Sequence, residues 1–226
     1  MEWLFAFFVL ILFSFSILVH LGQKAAKVDW GGKRVNWMDG LVRLLCRHVH
    51  RLPDTIIPLP ETGPAIVVAN HISGLDPMLL VAASHRPLRF LIAREEYERS
   101  GLHWLFKKMG CIPVDRTGKP EQALRQALRA LQQGEVLALF PHGKIHLDSD
   151  PPRKIKGGVA RLASWTHAPV FPVRIDGVGG EGQVALAPFI PSNVQISVAP
   201  EFFCKPDDVA ECLDHITRMI EAPNSP

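Results

Sequence analysis

Cysteine, tyrosine and net charge are all scarce in this chain. Its 226 residues include four cysteines and one tyrosine, and the formal net charge is +3. Cys46, Cys111, Cys204 and Cys212 show neither a C-x-x-C pair nor the spacing of metal ligands. This pattern argues against a disulfide scaffold or a zinc site and favours a reducing compartment. The charge is too small to indicate a nucleic-acid-binding protein.

Signals of several other protein classes are also missing. The sequence has no G-x-S-x-G motif, which disfavours a serine hydrolase of the usual α/β type. It has no internal repeat, low-complexity tract or Ser/Gly-rich linker, so a second domain is not expected. The hydrophobic fraction of 47% and the charged fraction of 21% are close to the globular average. We therefore predict one domain, with or without an appendage.

The apolar residues are concentrated near the N-terminus. The run from Trp3 to Leu21 contains no charged residue and spans about 28 Å as a helix, roughly the hydrocarbon thickness of a bilayer. A cleaved signal peptide needs a basic segment before this run, but only Met1 and Glu2 precede it, and no A-x-A-like site follows it. We therefore predict an uncleaved transmembrane anchor over residues 1–22.

The charges after this run predict its orientation. Four basic residues follow it closely: Lys24, Lys27, Lys33 and Arg34. By the positive-inside rule, the rest of the chain lies on the cytoplasmic side of a cell (inner) membrane that the chain crosses once. Membrane lipids are accordingly expected partners.

Residues 23–52 show a second, different pattern. Apolar residues and arginines each recur every four positions, at Trp37, Leu41, Leu45 and Val49 and at Arg43, Arg47 and Arg51. A helix here has one apolar and one basic face, which is typical of an amphipathic helix lying on an anionic membrane surface. The pattern also fits a helix that packs against the core of the domain, and the sequence leaves both interpretations open.

Residues 53–226 alternate between strand and helix patterns. Six short apolar runs, each bounded by Gly, Pro or polar residues, are typical of buried strands: Ala65–Ala69, Leu88–Ile92, Ile112–Val114, Val136–Phe140, Val170–Ile175 and Val194–Val198. Helical patterns cover residues 120–134, 158–167 and 207–221. Such alternation predicts an α/β fold, in which helices cover a mixed or mostly parallel sheet.

Candidate catalytic residues follow the first predicted strand. In open α/β sheets, reactive groups gather in loops at the carboxyl ends of strands. His71 and Asp76 lie in such a loop, and Gly74 lets the chain turn so that the carboxylate reaches the imidazole. A histidine held by a carboxylate can serve as a general base. The alternative is structural, because Asp76 followed by Pro77 also suits a helix N-cap.

Three further segments carry groups suited to binding a substrate. Residues 110–116 end in an acid and a base, residues 140–144 read Phe-Pro-His-Gly-Lys, and residues 169–173 are a strand framed by prolines. Arg116 and Lys144 follow predicted strands, where they are able to face an anionic group. A solvated surface position is the alternative for each of these cations.

Taken in order, these motifs resemble those of a known family. His-x4-Asp at 71–76, Gly-x4-Asp-Arg at 110–116, Phe-Pro-x-Gly at 140–143 and the proline-framed strand at 169–173 are similar to the four motifs of the glycerophospholipid acyltransferases. Within that family, the lysophosphatidic acid (1-acyl-glycerol-3-phosphate) acyltransferases are most similar. The resemblance identifies residues 53–226 as an acyltransferase domain.

The resemblance implies roles for individual residues. His71 deprotonates an acceptor hydroxyl, Asp76 orients His71, and the hydroxyl attacks the thioester of acyl-CoA or acyl carrier protein, a co-substrate, so that no cofactor or metal is required. Arg116 and the 140–144 loop are implied to hold the acceptor phosphate, with Lys156 assisting at a helix N-terminus. The residues implied in substrate binding are Asp115, Arg116, Phe140, Pro141, His142, Gly143, Lys144, Lys156 and Pro172, the last on the acyl-donor side.

One position departs from the family pattern. The family usually has Phe-Pro-Glu-Gly, whereas this chain has His142 in place of the glutamate. A carboxylate accepts hydrogen bonds from glycerol hydroxyls, so the change leaves open another lyso-lipid acceptor, or a non-catalytic lipid-binding protein on the same fold. His142, His146, Asp148 and Asp150 lie close in sequence. They do not share ligand spacing on one regular element, so we expect a polar loop and no metal site.

Overall fold

Two N-terminal helices precede the alternating strands and helices. The structure is a computed structural model that describes residues 2–116, 118 and 120–221. The helices are α1 (Glu2–Ala25), α2 (Lys33–His48), α3 (Asp76–Ala83), α4 (Arg94–Tyr97), α5 (His103–Lys108), α6 (Pro120–Gln132), α7 (Gly158–Thr166) and α8 (Val209–Glu221). The strands are β1 (Ala65–Ala69), β2 (Leu88–Ala93), β3 (Ile112–Val114), β4 (Val136–Leu139), β5 (Val170–Asp176) and β6 (Gln195–Val198).

The six strands form one sheet in the order β3-β2-β4-β1-β5-β6. Neighbouring strands are parallel except β5 and β6, which pair antiparallel. β1 is buried along its whole length because it pairs with β4 on one side and with β5 on the other. The predicted α/β fold with a mostly parallel sheet is confirmed, and each predicted strand forms with its ends shifted by one residue at most.

Each face of the sheet has its own hydrophobic core. Successive strand residues point to opposite faces, so Ile66 and Val67 of β1 belong to different cores. The core around Val67 includes Leu79 of α3 and Cys46 of α2. The core around Ile66 includes residues of α6, α7 and α8, such as Ile216. This layering leaves the carboxyl ends of five parallel strands along one edge of the sheet.

The N-terminal helix α1 is apolar and exposed. Among the described residues, one helix is long and apolar enough to cross a membrane: Trp3–Ala25 has a mean hydropathy of 2.6, and none of its apolar window is buried. Phe15 of α1 meets Trp37 of α2 edge to face, with ring centroids 5.8 Å apart. Gly22 and Gly40 then let the two backbones touch, since a Cβ on Gly40 would lie 1.8 Å from the Gly22 carbonyl oxygen. The two helices therefore form a tightly crossed pair.

α2 packs against the domain through a face that includes one of the three arginines. Arg43 is 9% exposed and donates to Asp39 Oδ2 at 2.8 Å and to the carbonyl oxygens of Ala82 and Ser84, also at 2.8 Å each. Arg47 is exposed. The arginines therefore do not share one solvent-facing row. The face of α2 that carries Arg43 therefore packs against the domain, which is one of the two interpretations that the sequence left open.

Two of the four cysteines are joined. Cys204 and Cys212 form a disulfide across eight residues, while Cys46 and Cys111 are buried free thiols. The sequence argued against a disulfide scaffold and did not reveal this single pair, because the fold before α8 brings the two Cα atoms to 5.4 Å. With this disulfide present, cysteine usage no longer supports a reducing compartment.

Candidate active site

The loops that follow β1 and β4 lie side by side, because these strands are neighbours in the sheet. His71 is in the first loop and Phe140 in the second, and their rings stack with centroids 4.2 Å apart. The loop after β3, with Asp115 and Arg116, leaves the sheet at the same edge, since β3 runs parallel to β2 and β2 to β4. The fold thus brings three of the four sequence motifs to the carboxyl edge, as predicted for parallel strands.

His71 is held by Asp76, as the sequence predicted. Nδ1 of His71 lies 2.8 Å from Oδ2 of Asp76. A carboxylate only accepts hydrogen bonds, so Nδ1 carries the proton and Nε2 keeps its lone pair. Nε2 has no hydrogen-bond partner in the described part of the chain, and the His71 side chain is 19% exposed. A histidine in this state is able to accept a proton from a bound hydroxyl.

Asp76 is fully buried and is fixed by its own loop. The backbone N–H groups of Ile72 and Ser73 donate to Oδ2 at 2.7 and 2.9 Å, and the Ser73 hydroxyl donates to Oδ1 at 2.6 Å. These donors offset the desolvation of the carboxylate. The N-cap alternative for Asp76 is wrong, because Leu75 occupies the cap position and the Asp76 side chain turns back onto the loop.

Residues 182–184 hold the loop of the histidine–aspartate pair. The N–H of Gly182 donates to the Ile72 carbonyl oxygen at 2.8 Å, and the N–H of Gly74 donates to the Gln183 carbonyl oxygen at 2.9 Å. At Gly74 the backbones are so close that a Cβ would lie 1.8 Å from the Val184 carbonyl oxygen. The stretch before Val184 therefore positions the loop that carries His71 and Asp76.

Basic residues gather beside the loop after β4. The N–H of Lys156 donates to the Pro141 carbonyl oxygen at 3.0 Å, and a Cβ on Gly143 would lie 2.7 Å from Nζ of Lys156. Burial lowers the pKa of Lys156, and the positive charges of Arg116 and Arg153 lower it further. Cations held this close together attract an anion, which makes them a candidate phosphate site. Arg153 is not among the predicted residues.

The other predicted binding residues differ in their surroundings. Arg116 is exposed and pairs with Glu95 at 3.3 Å, and Lys144 is exposed as well. Asp115 is half-buried and accepts a hydrogen bond at 2.7 Å from the backbone N–H three residues further on. Pro172 is buried inside the sheet, within β5, so it is not at the edge where the other motifs meet.

His142 is buried and bound to the C-terminal helix. It is 2% exposed, and its Nε2 lies 2.8 Å from Oε1 of Glu221. Its ring stacks on His146 with centroids 4.5 Å apart, while its Nδ1 has no partner among the described residues. Burial lowers the pKa of His142 and outweighs the hydrogen bond to Glu221, which raises it. A buried nitrogen without a partner costs about 1–3 kcal/mol.

His142, His146 and Glu221 form a cluster that the sequence did not reveal. One ligand atom from each residue lies within 4.8 Å of the others. The histidines are close in sequence, but Glu221 is 79 residues beyond His142, so only the fold brings it there. Arg174 of β5 holds the end of α8 by donating to the Ile220 carbonyl oxygen at 2.8 Å.

Comparisons with known proteins extend this description. The model of the family described as Acyltransferase matches residues 35–176. A probable 1-acyl-sn-glycerol-3-phosphate acyltransferase of Mycoplasma genitalium is 34% identical over 135 residues, which cover 57% of this chain and 48% of that protein. An N-acylphosphatidylethanolamine synthase of Arabidopsis thaliana is 32% identical over 134 residues, which cover 53% of this chain and 46% of that protein. The chain thus spans about half the length of these relatives.

The fold is similar to that of a solved structure. The crystal structure of the 1-acyl-sn-glycerophosphate (LPA) acyltransferase PlsC from Thermotoga maritima matches with a TM-score of 0.61 and covers 87% of this chain and 86% of that one. At 19% sequence identity this likeness establishes the fold alone. The family model, in contrast, matches more than half of the chain, and the matched range contains His71, Asp76 and the 140–144 loop. The chain therefore belongs to the acyltransferase family.

Proposed function

We propose that the protein is a 1-acyl-glycerol-3-phosphate O-acyltransferase-like enzyme. It moves a fatty acyl chain from acyl-CoA or acyl carrier protein to the free hydroxyl of a lysophospholipid. The observation that carries this proposal is the His71–Asp76 pair, with a free ring nitrogen at the carboxyl edge of the sheet. Membership of the acyltransferase family and the similarity to the Mycoplasma relative support the same reaction type.

His71 acts as the general base in this proposal. Its Nε2 takes the proton of the acceptor hydroxyl while the hydroxyl oxygen bonds to the thioester carbonyl carbon. Asp76 stabilises the imidazolium through Nδ1. The C–S bond then breaks and the leaving thiolate takes the proton from the imidazolium, so the histidine returns to its neutral form. Because a thiolate leaves readily, the transfer proceeds without a covalent acyl-enzyme.

The cations beside the loop after β4 bind the acceptor phosphate. Lys156, Arg116 and Arg153 are close enough for their charges to affect one another, and Lys156 lies over Gly143. The ion pair between Arg116 and Glu95 is exposed, and exposed pairs contribute only about 0–1 kcal/mol. Arg116 can therefore exchange this partner for a phosphate, to which a guanidinium binds in a bidentate manner.

The N-terminal part holds the enzyme at its substrates. Residues 1–22 form the anchor, residues 23–52 connect it to the membrane side of the domain, and residues 53–226 carry the chemistry. The exposed apolar surface of α1 supports this arrangement. Both substrates carry long acyl chains that reside in or near the bilayer, so an anchored enzyme meets them there. The basic residues after the anchor favour a position of the domain on the cytoplasmic side of the cell (inner) membrane.

Replacement of His71 tests this mechanism. His71→Ala is expected to lower kcat by about 10²–10⁴-fold, because the general base is lost. The measurement is transfer of a labelled acyl chain from acyl-CoA to lysophosphatidate by detergent-purified protein. His103→Ala is a matched control, since His103 is exposed and lies outside the candidate site. Near-wild-type turnover by a folded His71→Ala protein would show that His71 is not the base.

A different lyso-lipid acceptor is the second candidate, and His142 favours it. Its imidazole is buried against Glu221, at the position where the family usually has a glutamate. A screen of the purified protein with lysophosphatidate and other lysophospholipids, each with acyl-CoA and acyl carrier protein donors, distinguishes the two candidates. Fastest turnover with lysophosphatidate supports the first, and fastest turnover with another acceptor supports the second. Thermal stabilisation by lipid without any product would instead support a non-catalytic lipid-binding protein.

A further inference from the structure

We propose that His142, His146 and Glu221 form a binding site for a divalent transition-metal ion of the zinc type. The site lies where the loop after β4 meets the end of α8, and it is distinct from the His71–Asp76 pair. It goes beyond acyl transfer, and its test does not depend on activity.

The three side chains supply a suitable ligand set. Two imidazoles and one carboxylate are preferred zinc ligands, and one ligand atom from each lies within 4.8 Å of the others. Bonds of about 2.0–2.1 Å in a tetrahedron place ligand atoms about 3.4 Å apart. Atoms up to 4.8 Å apart must therefore close by at most about 1.4 Å, while Nε2 of His142 and Oε1 of Glu221, now 2.8 Å apart, must separate by about 0.6 Å. His146 and Glu221 are partly exposed and have room for this movement, including rotation of the His146 ring out of its stack.

His142 has the features of the buried ligand of such a site. Its side chain is 1% exposed, and Nε2 is 2.8 Å from Oε1 of Glu221, a contact that a bridging metal ion would replace. Nδ1 has no partner in the part of the chain that the structure describes. A single hydrogen bond thus holds this buried ring, and the nitrogen that makes it, Nε2, faces Glu221 and would bind the ion.

Asp150 gives the support that a metal-bound histidine needs. Its Oδ2 lies 3.6 Å from Nδ1 of His146, so His146 can bind the ion through Nε2 while Asp150 orients the ring. Three protein ligands leave a fourth tetrahedral position for water, and the Glu221 side chain, 37% exposed, gives solvent access to it.

A bound ion would tie the end of α8 to the loop after β4. This loop contacts the candidate active site directly, because the N–H of His146 donates to the His71 carbonyl oxygen at 2.7 Å. The ion would therefore stabilise the backbone on one side of His71 without taking part in the proton transfer.

Metal content and cobalt absorption test the site. The full chain is purified in detergent without a histidine tag, stripped with a chelator and dialysed against Zn²⁺ or Co²⁺. We expect about one ion per chain, with the intense visible bands of four-coordinate cobalt. Residues that only hydrogen-bond to a metal ligand change metal affinity by about 10–100-fold, so His146→Gln and Glu221→Gln, which remove ligands, are each expected to weaken binding by about 100-fold or more. Asp150→Asn should weaken it by about 10-fold.

Two controls keep the result interpretable. His103→Gln and Glu211→Gln replace exposed residues of the same types and should leave binding unchanged. Glu221→Gln keeps an oxygen that accepts from His142, so the fold should persist. Zn²⁺ should raise the melting temperature of the wild type but not of this variant.

Binding of less than about a tenth of an equivalent at micromolar Zn²⁺, or binding that survives both His146→Gln and Glu221→Gln, would overturn the proposal.

Discussion

Burial makes the two free thiols of the protein unreactive. It raises the pKa of Cys111 to about 11 and that of Cys46 to about 12. At pH 8 roughly one Cys111 thiol in a thousand is then ionised, and the thiolate is the form that alkylates. Native protein treated with iodoacetamide at pH 8 is therefore expected to gain no adduct within minutes by mass spectrometry.

Unfolding provides the control for this prediction. Denatured, unreduced protein should gain two adducts, because Cys204 and Cys212 remain joined, and reduction should allow four. Rapid labelling of the native protein would contradict the burial of the free thiols, and four adducts without reductant would contradict the disulfide.

Local contacts at the candidate site were predictable and distant ones were not. His71 and Asp76 are five residues apart with a glycine between them, so their contact follows from a short turn. Arg153 lies in the long loop between β4 and α7 and Glu221 at the end of α8, so the fold brings them to this region and no local pattern marks them. The same holds for His142. Its position in the motif could be read from the sequence, but its partner in α8, Glu221, could be found only from the fold.

At the scale of elements, the close backbone contact at Gly74 predicts that even a substitution by alanine destabilises the protein. Gly74→Ala places a Cβ 1.8 Å from the Val184 carbonyl oxygen, so the two loops must separate and the hydrogen bonds between them weaken. We expect a loss of about 2–4 kcal/mol in the free energy of unfolding, the range of the more damaging single substitutions, measured by chemical denaturation. Activity should fall as well.

Gly158→Ala is the matched control for this change. Its Cβ would meet nothing nearer than Leu124 Cδ1 at 4.0 Å, and it lies in the first turn of α7. Alanine in a helix is favoured over glycine by about 0.5–1 kcal/mol, so this variant should be neutral or slightly more stable. Equal stability of the two variants would show that the loops are not in tight contact at Gly74.

The elements themselves were the most predictable level of the structure. Each apolar run became a strand because the sheet is covered on both faces, which requires continuous hydrophobic segments. The periodicity of α2 identified one row of apolar residues and one row of arginines. It did not identify the face of the helix that packs against the rest of the protein. Arg43 is buried because Asp39 and the carbonyl oxygens at the end of α3 neutralise and solvate it, and these partners lie on other turns and elements.

For the whole molecule, the anchor predicts both attachment and sidedness. The full chain expressed in a bacterial host is expected to stay in the membrane fraction after alkaline carbonate washing, because the apolar surface of α1 is exposed. A protease-sensitive reporter fused after residue 226 should be cleaved only after the cells are opened, since the basic residues after α1 favour the cytoplasmic side.

A soluble reporter on the outer side serves as the control for protease access. Cleavage of the fusion in intact cells would place the domain outside the cytoplasm, an environment in which the Cys204–Cys212 disulfide is more usual. Release of the full chain by carbonate would contradict the anchor itself.

The contacts around Arg43 connect the end of α1 to the candidate active site. Lys27, just after α1, donates its N–H to Asp39, which pairs with Arg43, and Arg43 binds Ala82 near the end of α3. The first residue of α3 is Asp76, the residue that holds the His71 imidazole. A continuous series of hydrogen bonds and one short helix thus joins the end of α1 to the His71 ring. Through these contacts, the position of α1 limits how far the His71 ring can move away from it.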